Sequence, residues 1–215
     1  MNDIDGLIGF MRLSDRLKEI RRQGWVDRGV RSPESTADHS WAVALFAWLL
    51  ALERDDLDEG RVLLLALVHD LPEALAGDTT PFDRFRDEQG AISPDHFRYA
   101  PDYEAHETRR KHELERQALQ EMTSSLPDEL AGRIAGAWEE YSAGATPEAR
   151  FVRQLDKLET LLQAELYRET QPEIIIDSFR SGTLRDIDDI ALYRIAEAVI
   201  TRARNAGSED DGDDD

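Results

Sequence analysis

Apolar residues recur at helical spacing along most of the chain. Ile8, Met11, Leu13, Leu17 and Ile20 predict an amphipathic helix from Ile8 to Arg22, ended by Gly24. The segment Trp25 to Pro33 holds glycine and proline breakers and reads as a loop. Ser35, with Asp38 three residues on, is a capping signal. It precedes a long apolar helix from His39 through Trp41, Val43, Leu45, Phe46, Trp48, Leu49 and Leu52, expected to be buried. A charged turn from Glu53 to Gly60 leads into a second buried helix, and a turn that short makes the two antiparallel neighbours. Thr79 to Asp102 is proline-dotted and weakly periodic, a loop or partly ordered lid, and a charged helix follows from Tyr103 to Met122. Its narrow apolar stripe is Leu114, Ala118, Leu119 and Met122. Pro127 opens a helix to Tyr141 with Trp138 on its apolar side. Thr146-Pro147-Glu148 opens another, with Phe151, Val152, Leu155, Leu158, Leu161 and Leu162 inward. A last amphipathic helix spans Asp188 to Arg204. No stretch alternates like a strand and no repeat occurs, so the expected fold is all-α, a helical bundle.

Composition narrows the function. The chain has 215 residues, 40% of them hydrophobic, and no cysteine, which removes disulfide scaffolds, thiol catalysis and thiolate-bound zinc. Its formal charge is −20, and Lys18, Lys111 and Lys157 are its only lysines. Such a surface repels nucleic-acid backbones and anionic membranes, so neither is an expected partner. Dense carboxylates with scarce lysine also suit a very salty cytoplasm. The acidic start and the lack of a membrane-length apolar run predict a soluble, cytoplasmic protein. One domain over residues 1–206 is expected, followed by an acidic tail, 207–215, with nothing to bury and therefore disordered.

The candidate chemistry sits where an apolar run, Leu63 to Val68, ends in four ionisable side chains, His69, Asp70, Glu73 and Asp78. Delivering such groups into an interior costs several kcal/mol unless a partner compensates, and a divalent cation would do so. His39, in the first turn of the preceding helix, and Asp156, inside an apolar neighbourhood further on, are candidates to complete its shell. Salt bridging of Asp156 to Arg153 or Lys157 is the plainer alternative. His96, His106 and His112 lie among charged residues and read as surface histidines. Trp25, with Arg28 and Arg31 beside it, either plugs the edge of the core or serves a substrate.

The order His39, His69-Asp70, Asp156 resembles the H…HD…D signature of the HD-domain metal-dependent phosphohydrolases. Gly24-Trp25-Val26, Pro33-Glu34-Ser35 with Asp38-His39, Glu73, Gly77-Asp78, Trp138-Glu139-Glu140-Tyr141 and Phe151 to Lys157 narrow it to their 5′-nucleotidase group, from about Leu7 to Arg168. The resemblance implies an HD-domain helical bundle, homodimeric, that hydrolyses deoxyribonucleoside 5′-monophosphates to nucleoside and phosphate. It implies one divalent ion per subunit, held by His39, His69, Asp70 and Asp156. Two imidazoles and two carboxylates suit Mn²⁺, Co²⁺, Fe²⁺, Zn²⁺ or, less comfortably, Mg²⁺. Glu73 is then catalytic, orienting water or moving a proton. Asp78 is a second acid that protonates the leaving oxygen or holds a sugar hydroxyl, and Trp25 is a wall beside the sugar. In the bacterial branch an arginine precedes that tryptophan, whereas Gly24 stands here, so Arg28, Arg31 and Lys157 become the candidates for binding phosphate. HD sites also cleave cyclic and triphosphate nucleotides, and a non-catalytic nucleotide or metal sensor is the alternative from another class. Retention of Glu73 and Asp78 favours an enzyme.

Overall fold

The computed structural model describes residues 4–102 and 104–209, with side chains as far as residue 203. Its helices are α1 (Ile4–Asp15), α2 (Gln23–Val26), α3 (Thr36–Ala51), α4 (Glu59–Val68), α5 (Glu73–Ala76), α6 (Ala105–Thr123), α7 (Asp128–Ala143), α8 (Pro147–Thr170), α9 (Asp177–Asp186) and α10 (Ile190–Glu209). No strand occurs among the described residues, only an isolated bridge between Arg21 and Ser35, so the fold is all-α as expected.

Local signals explain most helix starts. Ser35 accepts from the Asp38 N–H while Asp38 accepts from the Ser35 N–H, a reciprocal cap that opens α3. Asp58 accepts from Arg61 N–H ahead of α4, and Thr146 accepts from Ala149 N–H ahead of α8, where Pro147 takes the first helical position. α3, α4 and α8 then pack together with α7 and α10 around Val43, Ala47, Val62, Leu65, Val152, Leu155, Leu161 and Ala196, all sealed from solvent.

The N-terminal helix differs from expectation. It runs from Ile4 to Asp15, tightens through Arg16–Lys18, and then gives way to extended backbone. Arg21 pairs with Ser35, Arg22 N–H donates to Glu34 O, and Thr36 N–H donates to Ile20 O. These bonds to a segment a dozen residues on outcompete continued helix, and they turn Arg22 inward at the start of α2.

The apolar run also ends sooner than a continuous helix would. α4 stops at Val68, because Pro72 lacks the N–H that would bond back to Val68 O and its ring disfavours helical backbone at Leu71. Tighter turns carry the chain on, with Leu71 N–H donating to Val68 O and Glu73 N–H to Asp70 O. α5 closes at Gly77, whose φ of +78° suits glycine and swings the chain toward Asp78.

Further departures concern faces and ends. α3 is not buried all round, since Trp41, Leu45, Trp48, Leu49 and Leu52 are exposed along one side. Leu114 is exposed too, so the buried apolar residues of α6 are Ala118, Leu119 and Met122, with Thr123 buried beside them. α9 had no sequence signal. The loop from Thr79 to Asp102 carries its own small core of Phe82, Ile92 and Phe97. Tyr103, the expected first residue of α6, lies outside the described residues, as do 210–215 of the expected tail, while 207–209 continue α10. No helix among the described residues is long and apolar enough to cross a membrane.

Candidate metal and catalytic centre

His39 rides on the first turn of α3, His69 caps the end of α4 with Asp70 in the turn beyond it, and Asp156 projects from the middle of α8. The antiparallel α3–α4 pair packed on α8 brings these termini together. His39 Nε2 lies 3.1 Å from Asp156 Oδ1, 3.4 Å from His69 Nε2 and 3.7 Å from Asp70 Oδ2. His69 Nε2 lies 3.2 Å from Asp70 Oδ2. Donor atoms of His39, His69 and Asp70 all fall within 4.8 Å of one another, with Asp156 reaching the group on the His39 side. Both imidazoles are buried.

The opposite ring nitrogens are occupied, His69 Nδ1 by Ala66 O at 2.7 Å and His39 Nδ1 by Glu159 Oε2 at 2.6 Å. The Nε2 atoms of His39 and His69 with Asp70 form a compact donor set for a borderline divalent cation, and Asp156, against His39 Nε2, is placed to add a fourth donor, so the residues fit such an ion. Without an ion their charges settle on one another. Burial and Arg22 push His39 down, yet hydrogen bonds to Asp156 and Glu159 outweigh them and lift its pKa to about 10. Burial alone would raise Asp70 and Asp156. His69 and Arg22 instead hold Asp70 well below the usual carboxylate range, and His39 does the same for Asp156. Tyr141 Oη donates to Asp156 Oδ2 at 3.3 Å.

Glu73, at the head of α5, is almost completely buried beside this group. Thr36 Oγ1 donates to its Oε2 at 3.2 Å. Burial first, then the charges of Asp70 and Asp78, push the Glu73 carboxyl well above its ordinary range. Asp78 is anchored by Gln23 N–H at 2.7 Å.

Two cations missed in the sequence stand here. Arg22 Nη1 is 3.0 Å from Asp70 Oδ2, 3.9 Å from Asp78 Oδ2 and 4.0 Å from Glu73 Oε1. Lys111, from α6, is also 4.0 Å from Glu73 Oε1, 3.4 Å from Glu115 Oε1, and donates to Thr79 O. Nothing local marks Arg22, which sits within the expected helix, and Lys111 lies in a run that reads as a solvated face.

The residues proposed from sequence for binding substrate are engaged with other partners in the fold. Trp25 is 2% exposed, packs against Tyr167 and Phe179, and donates its Nε1–H to Glu34 Oε1 at 2.9 Å. It is a core plug rather than an open wall. Arg28 is sandwiched between Phe97 and Phe179, each ring centroid 4.1 Å from its Cζ, and donates to Ile175 O, Gly24 O and Ser178 Oγ. Burial pushes its pKa down to about 9, with Asp27 opposing. Arg31 is exposed and faces Glu173 at 3.7 Å. Lys157 pairs with Asp186 at 2.8 Å. His96 and His106 are exposed, and half-exposed His112 stacks on Trp138.

An all-helical bundle that converges two histidines, two aspartates and a buried glutamate defines a metal-dependent hydrolase of the H…HD…D kind. The HD domain pattern matches residues 14–190, and the chain belongs to that family. It is 36% identical over 198 residues to 5′-deoxynucleotidase HDDC2 of Mus musculus, covering 92% of this chain and 84% of that one. It is 34% identical to 5′-deoxynucleotidase HDDC2 of Homo sapiens over 85% and 75% of the two chains. A protein described as a predicted metal-dependent phosphohydrolase from Magnetospirillum magnetotacticum superposes with a TM-score of 0.64 at 27% identity, over 95% of this chain and 94% of that one. A conserved hypothetical protein from Pyrococcus furiosus gives 0.66 at 27% identity, over 92% and 99%.

Proposed function

We propose that the chain is a metal-dependent 5′-nucleotidase that hydrolyses deoxyribonucleoside 5′-monophosphates to nucleoside and phosphate. The observation that carries this is the meeting of His39, His69, Asp70 and Asp156 with Glu73 and Asp78 beside them, on a chain whose relatives are named 5′-deoxynucleotidases. One divalent ion held by the four donors supplies Lewis acidity toward the phosphate and the attacking water.

The chain's own groups do the rest. Arg22 and Lys111 provide positive charge on either side of Glu73, where an otherwise acidic protein must accept a phosphate dianion. Glu73 takes the proton of the attacking water. Burial and the charges of Asp70 and Asp78 raise its proton affinity, which strengthens it as a base, and Thr36 fixes the carboxylate's direction. Asp78, locked by the Gln23 N–H and faced by Arg22, is assigned the leaving-group side. The protein is further proposed to act as a homodimer, which the family resemblance implies.

A panel of deoxy- and ribonucleoside mono-, cyclic and triphosphates, run with Mn²⁺, Co²⁺ or Mg²⁺ at low and high salt, tests the reading. Phosphate release from a deoxynucleoside monophosphate is expected. A folded, metal-loaded protein that releases none from any member sinks it.

A further inference from the structure

His39 and His69 present the same nitrogen to the centre, yet their backs differ. Behind His69 is a neutral carbonyl, Ala66 O, whereas behind His39 is a carboxylate, Glu159, itself only 3% exposed. Glu159 follows Asp156 by three residues on α8, so one helix face supplies a donor to the front of the centre and a brace to the rear of its neighbour. A third carboxylate, Glu34, stands within 4.8 Å of both groups and accepts from Trp25 Nε1. Glu34 is itself held in place, since its N–H donates to Tyr167 Oη at 2.7 Å. Trp25 and Tyr167 thus hold a second carboxylate near the far side of His39, where the charge of Glu159 opposes rather than supports it.

Resting on the metal-dependent reading above, we propose that Glu159 is a positioning residue that fixes His39 as an Nε2 donor and raises its basicity. A carboxylate only accepts, so the 2.6 Å contact keeps a proton on Nδ1, and the nitrogen left to exchange its proton for an ion is Nε2, which faces Asp156, His69 and Asp70. A charged acceptor polarises the ring more than a carbonyl does, making His39 the stronger of the two imidazole donors. Glu159 touches neither substrate nor reacting atoms, and its effect is on ion affinity.

Metal-free full-length protein is titrated with Co²⁺, with no substrate present, and the Kd is read from the visible absorption. Glu159→Gln keeps the shape and removes the charge, and it should weaken binding about 10- to 100-fold and alter the cobalt spectrum. Its metal-free melting temperature should fall too, because Glu159 also pairs with the protonated His39 ring, so the altered cobalt spectrum and Kd of the still-folded variant are the readouts that separate positioning from loss of the fold. An unchanged Co²⁺ Kd in Glu159→Gln overturns the inference, as does a wild-type chain that binds no Co²⁺. If the variant fails to fold, proton NMR of the Zn²⁺-loaded wild type decides. A slowly exchanging Nδ1 proton on His39, moved downfield by its carboxylate partner, is expected, and its absence overturns the inference. Tight Co²⁺ binding without phosphate release would instead remove the nucleotidase reading and leave the role of Glu159 intact.

Discussion

Arg22 and Lys111 approach Glu73 Oε1 to the same 4.0 Å from different elements, one from the backbone break before α2 and the other from α6. A carboxylate between two cations, yet pushed upward in pKa by burial, Asp70 and Asp78, is held in conflict by its surroundings. Such conflict is what a proton-transferring group needs, and it costs stability elsewhere in the fold.

Glu73→Gln separates those two consequences. Phosphate release from a deoxynucleoside monophosphate should fall by about 10²-fold or more with the loss of general-base action. Metal content should stay at the wild-type level, because Glu73 is not among the converging donors. The metal-free variant should melt higher at neutral pH. A Glu whose folded pKa is raised destabilises the fold as pH climbs above its unfolded value, and glutamine has no proton to lose. Phosphate assay, elemental analysis and thermal melting check the three outcomes.

The arginines sort differently in the structure than along the chain. Arg22→Ala should lower kcat/KM by at least about 10²-fold, by removing charge aimed at the phosphate. Arg28→Ala should act on stability instead, by about 3 kcal/mol, because it empties a slot between Phe97 and Phe179 and abandons three acceptors. Arg31→Ala, whose side chain is 72% exposed, should leave both within error. Melting curves alongside steady-state kinetics distinguish the three.

What could be read along the chain was local or chemically costly. The Ser35–Asp38 cap and the Thr146-Pro147 start are written in adjacent residues and appear as expected. His69-Asp70 and Asp156 were visible because ionisable groups in apolar runs demand a partner. Glu159 obeyed the same rule, three residues after Asp156 between Leu158 and Leu161, and was findable by it. Arg22 was not, since the pairing of Arg21 with Ser35 that breaks its helix is a tertiary event. α9 reads Asp-Ser-Phe-Arg-Ser-Gly-Thr, too polar for a periodic signal, and takes its helicity from packing on α8 and α10. The outer face of α3 reads as core because apolarity alone does not say which side of a helix is covered.

Metal uptake should depend steeply on pH. With its folded pKa near 10, His39 is an imidazolium in the metal-free protein at neutral pH, and binding an ion through Nε2 must expel that proton. Affinity should therefore rise with pH up to about 10, by as much as about tenfold per unit for the one displaced proton. The same shift means the protonated ring stabilises the metal-free fold below about pH 6.5, a contribution lost as pH rises through about 10. Calorimetric titration with Co²⁺ in buffers of different ionisation heat should report close to one proton released near neutrality. Chelation should abolish hydrolysis, and reloading should restore it.

The exposed side of α3 bears on the proposed homodimer. Trp41, Leu45, Trp48, Leu49 and Leu52 fall at successive turns and form one uncharged line on a chain of net charge −20. Two copies of so acidic a protein repel one another least along such an apolar line, which only Asp38 flanks on α3, and a line of tryptophan and leucine is complementary to itself across a two-fold axis. These five side chains supply a large part of the roughly 800 Å² per partner of a standard interface. Trp41→Glu combined with Leu49→Glu should convert a dimer to a monomer in sedimentation velocity, most completely at low salt, where the new charges are least screened. Co²⁺ should still load, since His39 lies on the buried side of α3 and His69, Asp70 and Asp156 stand on other elements. A wild-type chain that sediments as a monomer at micromolar concentration removes the homodimer, and a double variant that remains dimeric moves the contact away from α3.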